Sequence, residues 1–246
     1  MALRINPLLV FMGLGVVGLA ASGTDEPESG PELAPAPGSP PPPPPPQTPP
    51  GELVVVDYRD LADSSKRWEN RTFEPVGVTL HQMGVSRSAD PDDLTGVAGH
   101  FVLMRDGRVL WLHNLDKRVK NSAYSDMIQI EVEGNFQSTR GKWWRGSSGN
   151  LPMHTLNPAQ ARSLPLLLAT LEPWLQPNSR GKFQLTGHRM AASKARRGND
   201  PGPEIWTAVA PWALAGNWEL GRLIGEGTAI PSSWYDYTAV QPLANA

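Results

Sequence analysis

Residues 128–133 read Ile-Gln-Ile-Glu-Val-Glu, with an aliphatic side chain at every other position and a polar one between. Side chains of a β-strand alternate between its two faces, so this stretch predicts a strand whose aliphatic face is buried. The opposite face carries the amide of Gln129 and the carboxylates of Glu131 and Glu133. The strand is therefore expected to bring a carboxylate to a functional site, and alternation alone does not choose between the two glutamates.

Further strands and two helices are predicted around this strand. Asn157-Pro158 opens a helix with apolar residues at helical spacing as far as Leu171, weakened by Pro165, and residues 204–214 predict a second helix that Pro211 breaks. The mixture of elements predicts an α/β fold, a mixed central β-sheet flanked by helices. Short apolar runs predict the other strands at residues 53–57, 76–80, 101–104, 109–112 and 183–185, with an Asp106-Gly107 hairpin turn between the third and fourth.

The first 50 residues differ in composition from the rest of the chain. Thirteen of the 26 prolines lie in residues 27–50, so residues 23–50 predict a disordered, extended linker. Residues 1–22 contain Arg4 and a 14-residue apolar run, which is typical of a signal peptide or, if uncleaved, of an N-terminal anchor. We therefore expect an exported protein, periplasmic or extracellular, with one folded domain at residues 51–246.

Charge and cysteine content exclude several classes of function. The first 50 residues hold one base and four acids, which leaves 21 bases against 20 acids in the rest of the chain. A near-neutral domain gives no reason to expect nucleic-acid binding, and a membrane is expected only at the N-terminal segment. The absence of cysteine excludes disulfides, thiol catalysis and cysteine-type zinc sites. We expect a monomer.

Two histidines and an aspartate form a candidate metal site. His81 and His188 follow predicted strands, and ligands gather beyond the carboxyl ends of strands in α/β sheets. Asp200 lies in an Asp-Pro-Gly-Pro loop that restricts its backbone. Two imidazoles and one carboxylate suit a catalytic zinc ion with a fourth position for water, although the pattern by itself is generic. His113 and His154 are expected to be surface or packing residues.

Several motifs together resemble a known family. Residues 78–81, His100-Phe101 with the hairpin turn, residues 128–134, and Gly187-His188-Arg189 followed by residues 200–203 occur in that order. They resemble the type 2 N-acetylmuramoyl-L-alanine amidases, a group that includes phage T7 lysozyme and the peptidoglycan recognition proteins. The resemblance covers about residues 53–215. It implies a zinc ion in a groove and cleavage of the amide bond between N-acetylmuramic acid and L-alanine in peptidoglycan.

The resemblance also implies roles for individual residues. By matching position, His81, His188 and Asp200 would be the Zn²⁺ ligands, and Glu131 would be the catalytic acid–base residue. Muropeptides of peptidoglycan would be the partner. The residues expected to contact substrate are His100, Gln129, Trp143, Trp144, Arg196 and Arg197. For some of these a different role is open: His100 as a packing residue, the tryptophan pair folded onto the core edge, and the two arginines in a solvated loop.

The sequence departs from the family pattern at several positions. Gln129 stands where the family usually has glycine, Gly198 where members often have a lysine that stabilises the oxyanion, and Gly99 where the T7 enzyme has tyrosine. Residues 121–123 read Asn-Ser-Ala where many amidases have His-Ala-Gly. These differences leave the three ligand positions intact. They leave two alternatives open: a non-catalytic peptidoglycan-binding protein of the same fold, and a lytic enzyme directed at other cells.

Overall fold

A seven-stranded mixed sheet organises the part of the chain that the structure describes. The structure is a computed structural model, and it describes residues 52–84, 90–120, 124–137, 143, 151–191 and 200–234. The spatial order of the sheet is β1-β5-β4-β7-β3-β8-β9, and β2 pairs with β6 in a separate antiparallel ribbon. The strands are β1 (Val55–Asp57), β2 (Arg67–Asn70), β3 (Gly77–Gln82), β4 (Phe101–Leu103), β5 (Val109–Trp111), β6 (Lys117–Val119), β7 (Met127–Val132), β8 (Phe183–Gly187) and β9 (Trp218–Leu220).

The centre of the sheet is parallel and fully covered. Strands β4, β7, β3, β8 and β9 run parallel to one another, whereas β5 is antiparallel to β4 and is the partner of β1. Every residue of β3 is buried, as expected for a parallel strand covered on both faces. The predicted mixed sheet is confirmed. The structure extends β3 two residues past the predicted end, so His81 lies inside the strand and not at its end.

Two helices cover the aliphatic face of the sheet. Helix α1 (Pro158–Leu171) begins as predicted, because the side chain of Asn157 accepts a hydrogen bond from the backbone N–H of Gln160. Helix α2 (Pro203–Ala215) packs beside it. Leu164, Leu168 and Val209 from these helices share one core cluster with Leu80 and Ile130 of the sheet.

The prediction that Pro211 breaks the second helix is wrong. Helix α2 continues through Pro211 to Ala215, just as α1 continues through Pro165. A proline removes one backbone hydrogen bond, but Val209, Ala210 and Ala213 are buried on either side of it. Burial of this apolar face holds the helix across the missing hydrogen bond.

Three strands and the N-terminal segments mark the limits of the sequence predictions. Strands β2, β6 and β9 were not predicted, because β2 and β6 are short and largely polar and β9 has only three residues. The predicted signal peptide at 1–22 and the linker at 23–50 lie outside the described residues and stay predictions. Among the described residues, no helix is long and apolar enough to cross a lipid bilayer.

Gly77 permits the close pairing of β3 with β8, because no larger residue fits at this position. A Cβ atom at position 77 would lie 2.0 Å from the carbonyl oxygen of Gln184, which belongs to the backbone of β8. Gly77→Ala should therefore lower the free energy of unfolding by about 1–3 kcal/mol, as overpacking commonly does. Gly96→Ala is the control, because nothing lies within 4 Å of a Cβ there. Urea unfolding that found the two variants equally stable would contradict this account.

Candidate metal centre

Three neighbouring strands place polar side chains in two rows on the face opposite the helices. Thr79 of β3 pairs with Gln129 of β7 and with Thr186 of β8, whereas His81 pairs with Glu131. Residues two apart on a strand share a face, so β3 and β7 each contribute one member to each row, and beside β3 the upper row is continued by His188, directly after the last residue of β8. We call Thr186, Thr79 and Gln129 the lower row, and His188, His81 and Glu131 the upper row.

The two histidines of the upper row meet an aspartate from a distant loop. The rings of His81 and His188 lie edge to face with centroids 4.4 Å apart. Asp200 places Oδ2 3.2 Å from Nδ1 of His188 and Oδ1 3.9 Å from Nδ1 of His81. All three side chains are buried. They are the one group of three or more potential metal ligands found in the described part of the chain, with ligand atoms within 4.8 Å of one another.

Backbone contacts hold Asp200 against the sheet. Its Oδ1 accepts a hydrogen bond of 2.9 Å from the backbone N–H of Gln82, and its carbonyl oxygen accepts one from the N–H of Arg189. A Cβ at position 187 would lie 2.7 Å from Cδ of Pro201, so Gly187 lets the loop pack tightly on the end of β8. The loop therefore delivers the carboxylate to the histidines in a fixed position.

The charge state of Asp200 suits a metal ligand. Burial by itself would raise the pKa of this carboxyl group. The hydrogen bond with His188, the proximity of His81 and the N–H of Gln82 act in the opposite direction, and together they hold the pKa below its usual value. The carboxylate is thus ionised at neutral pH.

The donor set fits a divalent metal such as zinc. Tetrahedral zinc bound to nitrogen and oxygen at about 2.0–2.2 Å keeps its ligand atoms roughly 3.3–3.6 Å apart. Oδ2 of Asp200 lies 3.2 Å from Nδ1 of His188, and Oδ1 lies 3.9 Å from Nδ1 of His81. One ligand atom from each of the three residues lies within 4.8 Å of the other two, so two imidazoles and one carboxylate are already converged close to the spacing of a zinc site.

Glu131, and not Glu133, is the glutamate beside this group. Its Oε1 lies 3.6 Å from Nδ1 of His81, and its side chain is 17% exposed. A Cβ at position 99 would come within 2.9 Å of Cγ of Glu131, so Gly99 leaves room for this side chain. Strand β7 ends at Val132, and Oε2 of Glu133 instead accepts a hydrogen bond from the backbone N–H of Arg105. The end of the strand thus separates two carboxylates that alternation alone would place on one face.

Gln129 contacts His81 from below. Its side chain is 1% exposed, and its Oε1 lies 2.7 Å from Nε2 of His81. The longer side chain at this position therefore contacts a histidine of the candidate metal group. Its burial leaves no surface for the substrate contact that was expected of Gln129.

His100 is part of the interior. It is completely buried; its Nδ1 accepts a hydrogen bond from the backbone N–H of Gln129, and its Nε2 faces the carbonyl of Lys117. Burial, with a smaller effect from the charge of Arg71, lowers its pKa to about 3. The substrate contact expected for His100 is thus replaced by the packing role, because no part of the ring is accessible.

The remaining predicted residues divide into described and undescribed positions. Trp143 is half-buried, and its indole N–H donates to the carbonyl of His154. His113 is completely buried, and His154 is half-buried with Nδ1 accepting the N–H of Asn135; neither joins the metal group. The following positions lie outside the described residues: 121–123, Trp144, Arg196, Arg197 and Gly198.

Some residues that support the site were not predicted. The hydroxyl of Thr186 donates to the carbonyl of Val78 and lies 2.8 Å from the hydroxyl of Thr79, beneath the histidines. A polar–any–polar triplet recurs at 79–81, 129–131 and 186–188 and would have signalled both rows. Arg71 is half-buried, and its guanidinium donates to the carbonyls of Lys117, Ser125 and Met127. Burial lowers its pKa to about 10, and nothing in its sequence context indicates that role.

The sequence matches a known protein family over more than half of its length. A family model described as N-acetylmuramoyl-L-alanine amidase matches residues 53–203. No curated protein matches the sequence.

Solved structures that resemble this one include amidases and recognition proteins. Peptidoglycan recognition protein SD of Drosophila is 13% identical, and the match covers 70% of this chain and 100% of that protein with a TM-score of 0.46. The amidase LysC of Clostridium intestinale is 16% identical, and the match covers 63% of this chain and 91% of LysC with a TM-score of 0.40. The complex of tracheal cytotoxin with the recognition proteins LCa and LCx has 17% identity, covers 68% and 99%, and gives 0.47.

The burial of His100 predicts a pH effect on stability. In the unfolded chain His100 becomes protonated below about pH 6.5, whereas in the folded protein it stays neutral down to about pH 3. The free energy of unfolding therefore decreases as the pH falls from 6.5 towards 3, and the decrease due to His100 is about 2 kcal/mol at pH 5.

His100→Asn removes this titration while its amide oxygen can still accept the N–H of Gln129. The stability difference between the wild type and this variant should narrow by about 2 kcal/mol between pH 7 and pH 5, measured by urea unfolding. Parallel pH curves for the two proteins would show that His100 binds a proton equally well in the folded and the unfolded chain, which would contradict the buried, neutral imidazole.

Proposed function

Since the chain belongs to the N-acetylmuramoyl-L-alanine amidase family, we propose that it is a zinc-dependent hydrolase that cleaves the amide bond between N-acetylmuramic acid and L-alanine of peptidoglycan. The observation that carries this proposal is the convergence of His81, His188 and Asp200 at the end of the parallel strands, with Glu131 at their side. In this proposal each residue of the group has a separate task.

The three converged residues would hold the metal. His81 and His188 would each supply a ring nitrogen and Asp200 a carboxylate oxygen, a combination common in catalytic zinc sites. A zinc ion bound there supplies Lewis-acid polarisation of the scissile carbonyl and makes water a strong nucleophile near neutral pH. The contribution of the protein is a fixed geometry, since two strands and the loop of Asp200 hold the three ligand side chains together.

Glu131 would transfer the protons. An amide is hard to cleave because an unprotonated amine anion is a very poor leaving group. A carboxylate next to the reacting atoms can accept a proton from the attacking water and then return it to the nitrogen of the leaving alanine. Glu131 is suited to this task because it lies beside His81 and remains partly exposed, whereas Glu133 is buried and bound to the hairpin.

The location of the substrate agrees with the N-terminal sequence. Intact peptidoglycan lies outside the cytoplasm, so an enzyme that acts on it needs a route out of the cytoplasm. We propose that residues 1–22 direct export to the periplasm or beyond, and that the proline-rich residues 23–50 separate the folded domain from that segment.

A second candidate function is binding of peptidoglycan without cleavage. It is favoured by Gly198, which stands where members of the family often have a lysine that stabilises the oxyanion. Against it stand the three ligand positions, all of which carry metal-binding side chains that converge.

Incubation of the purified full chain with peptidoglycan separates the two functions. Mass spectrometry of a hydrolase digest should find peptides with a free L-alanine amino group, whereas a binding protein would sediment with peptidoglycan and release none.

Substitution of the proposed ligands should remove metal and activity together. His81→Ala or Asp200→Ala should abolish stoichiometric zinc, measured by atomic emission on the folded protein, and with it the release of peptides. His113→Ala and His154→Ala are the controls and should retain zinc, because neither residue belongs to the converged group. Full zinc occupancy in either ligand variant would refute the assignment.

Substitution of Glu131 should separate metal binding from turnover. Glu131→Gln should retain zinc but lower the rate of peptide release at least about a hundredfold, because the amide cannot accept the proton. Glu133→Gln is matched in chemistry and keeps an oxygen to accept the N–H of Arg105, so it should remain close to wild-type activity. Loss of zinc in Glu131→Gln would instead indicate that Glu131 orients a ligand, and near-normal turnover would exclude it as the proton carrier.

A further inference from the structure

The amide of Gln129 is fully hydrogen-bonded inside the protein. Its Nε2 donates to the carbonyl oxygens of Tyr124 and Met127, each at 3.0 Å, and its Oε1 lies 2.7 Å from Nε2 of His81. The side chain is 1% exposed, so water does not compete for these positions. The amide thus links two backbone carbonyls to one histidine.

The two carbonyls determine which way the amide points. Carbonyl oxygens only accept hydrogen bonds, so the end of the amide that faces Tyr124 and Met127 has to be the NH₂ group. The reversed amide would place its oxygen against two other oxygens and leave its NH₂ group facing the ring of His81. The oxygen therefore faces His81.

The orientation of the amide in turn determines the tautomer of His81. An amide oxygen only accepts, so Nε2 of His81 has to carry the ring proton. A neutral imidazole has one protonated nitrogen, which leaves a lone pair on Nδ1. Nδ1 is the atom that lies 3.9 Å from Asp200 and 3.6 Å from Glu131, on the side of the converged group.

We propose that Gln129 is a positioning residue that holds His81 in the Nε2–H tautomer and so prepares its Nδ1 to bind the metal. The proposal rests on the proposed metal site, and it concerns the position at which this chain departs from the glycine usual in the family. Hydrogen-bond partners of metal-bound histidines commonly fix the tautomer and ring orientation, and their loss typically costs about 10–100-fold in affinity.

The groups that orient Gln129 are themselves held in place. The carbonyl of Met127 also accepts a hydrogen bond from Nη2 of the half-buried Arg71. The backbone N–H of Gln129 donates to Nδ1 of His100, at 2.9 Å. The support therefore runs from Arg71 and His100 through Gln129 to His81, and every step is a hydrogen bond between buried or largely buried groups.

A matched pair of substitutions isolates this role. Gln129→Leu keeps the approximate size of the side chain but removes the acceptor for Nε2 of His81. Gln160→Leu removes an equally buried glutamine, whose Nε2 donates to the carbonyl of Glu133 and whose Oε1 accepts from Arg105. Both variants lose buried amide hydrogen bonds, but only one of them touches the metal group.

The first measurement uses metal-free full chain with ¹⁵N-labelled histidine at about pH 8.5, where an ordinary imidazole is neutral. Long-range ¹H–¹⁵N spectra report which ring nitrogen carries the proton, and the signal of His81 is assigned by its loss in H81Q. The wild type and Gln160→Leu should show the Nε2–H form alone. Gln129→Leu should show a mixture of tautomers.

The second measurement is zinc affinity by competition with a chelator. Gln129→Leu should bind zinc about 10–100-fold more weakly than the wild type, and Gln160→Leu should bind within about threefold of it.

The proposal is overturned if the metal-free wild type has the Nδ1–H tautomer, or if Gln129→Leu keeps both the tautomer of His81 and the zinc affinity of the wild type. Should Gln129→Leu not fold, Gln129→Met and the wild-type tautomer decide the same question. A wild type that binds no zinc would refute the proposed function, whereas the metal-free spectra would still decide whether Gln129 fixes His81.

Discussion

The register in which β3 pairs with β7 on one side and β8 on the other is the constraint on which the site depends. It sets His81 opposite Glu131 and brings His188 beside them, just beyond the last residue of β8. A slip of one residue in either pairing would turn the polar side chains of that strand towards the helices and the aliphatic ones towards the loop of Asp200. The aliphatic packing under α1 and α2 therefore also maintains the spacing of the polar groups.

The polar face is stable because its buried groups satisfy one another. The lower row has no access to water, and an unpaired buried hydroxyl or amide would destabilise the fold. Thr186 resolves this by bonding to the carbonyl of Val78 and to Thr79, and Gln129 by bonding to two carbonyls and to His81. The same hydrogen bonds that satisfy these buried groups thus also support the two histidines of the upper row.

The sequence predicted the elements whose pattern is local. The alternation in 128–133, the capping Asn157 and the two histidines that follow predicted strands are signals carried by a few adjacent residues, and the structure contains the corresponding strand, helix and cluster. What it did not predict depends on distant contacts. The choice between Glu131 and Glu133 requires the end of β7 and the position of Arg105, and the burial of His100 requires segments around Arg71 and Lys117. The orientation of the Gln129 side chain towards His81 depends on the backbone carbonyls of Tyr124 and Met127, which no pattern of residues identifies.

The hydrogen bond between Gln82 and Asp200 joins residues 118 positions apart. During synthesis, a chain that has emerged only as far as α1 already contains His81 and Glu131 but neither His188 nor Asp200. The three candidate ligands therefore cannot meet until residue 200 has left the ribosome, by which time every strand of the sheet except β9 has been synthesised.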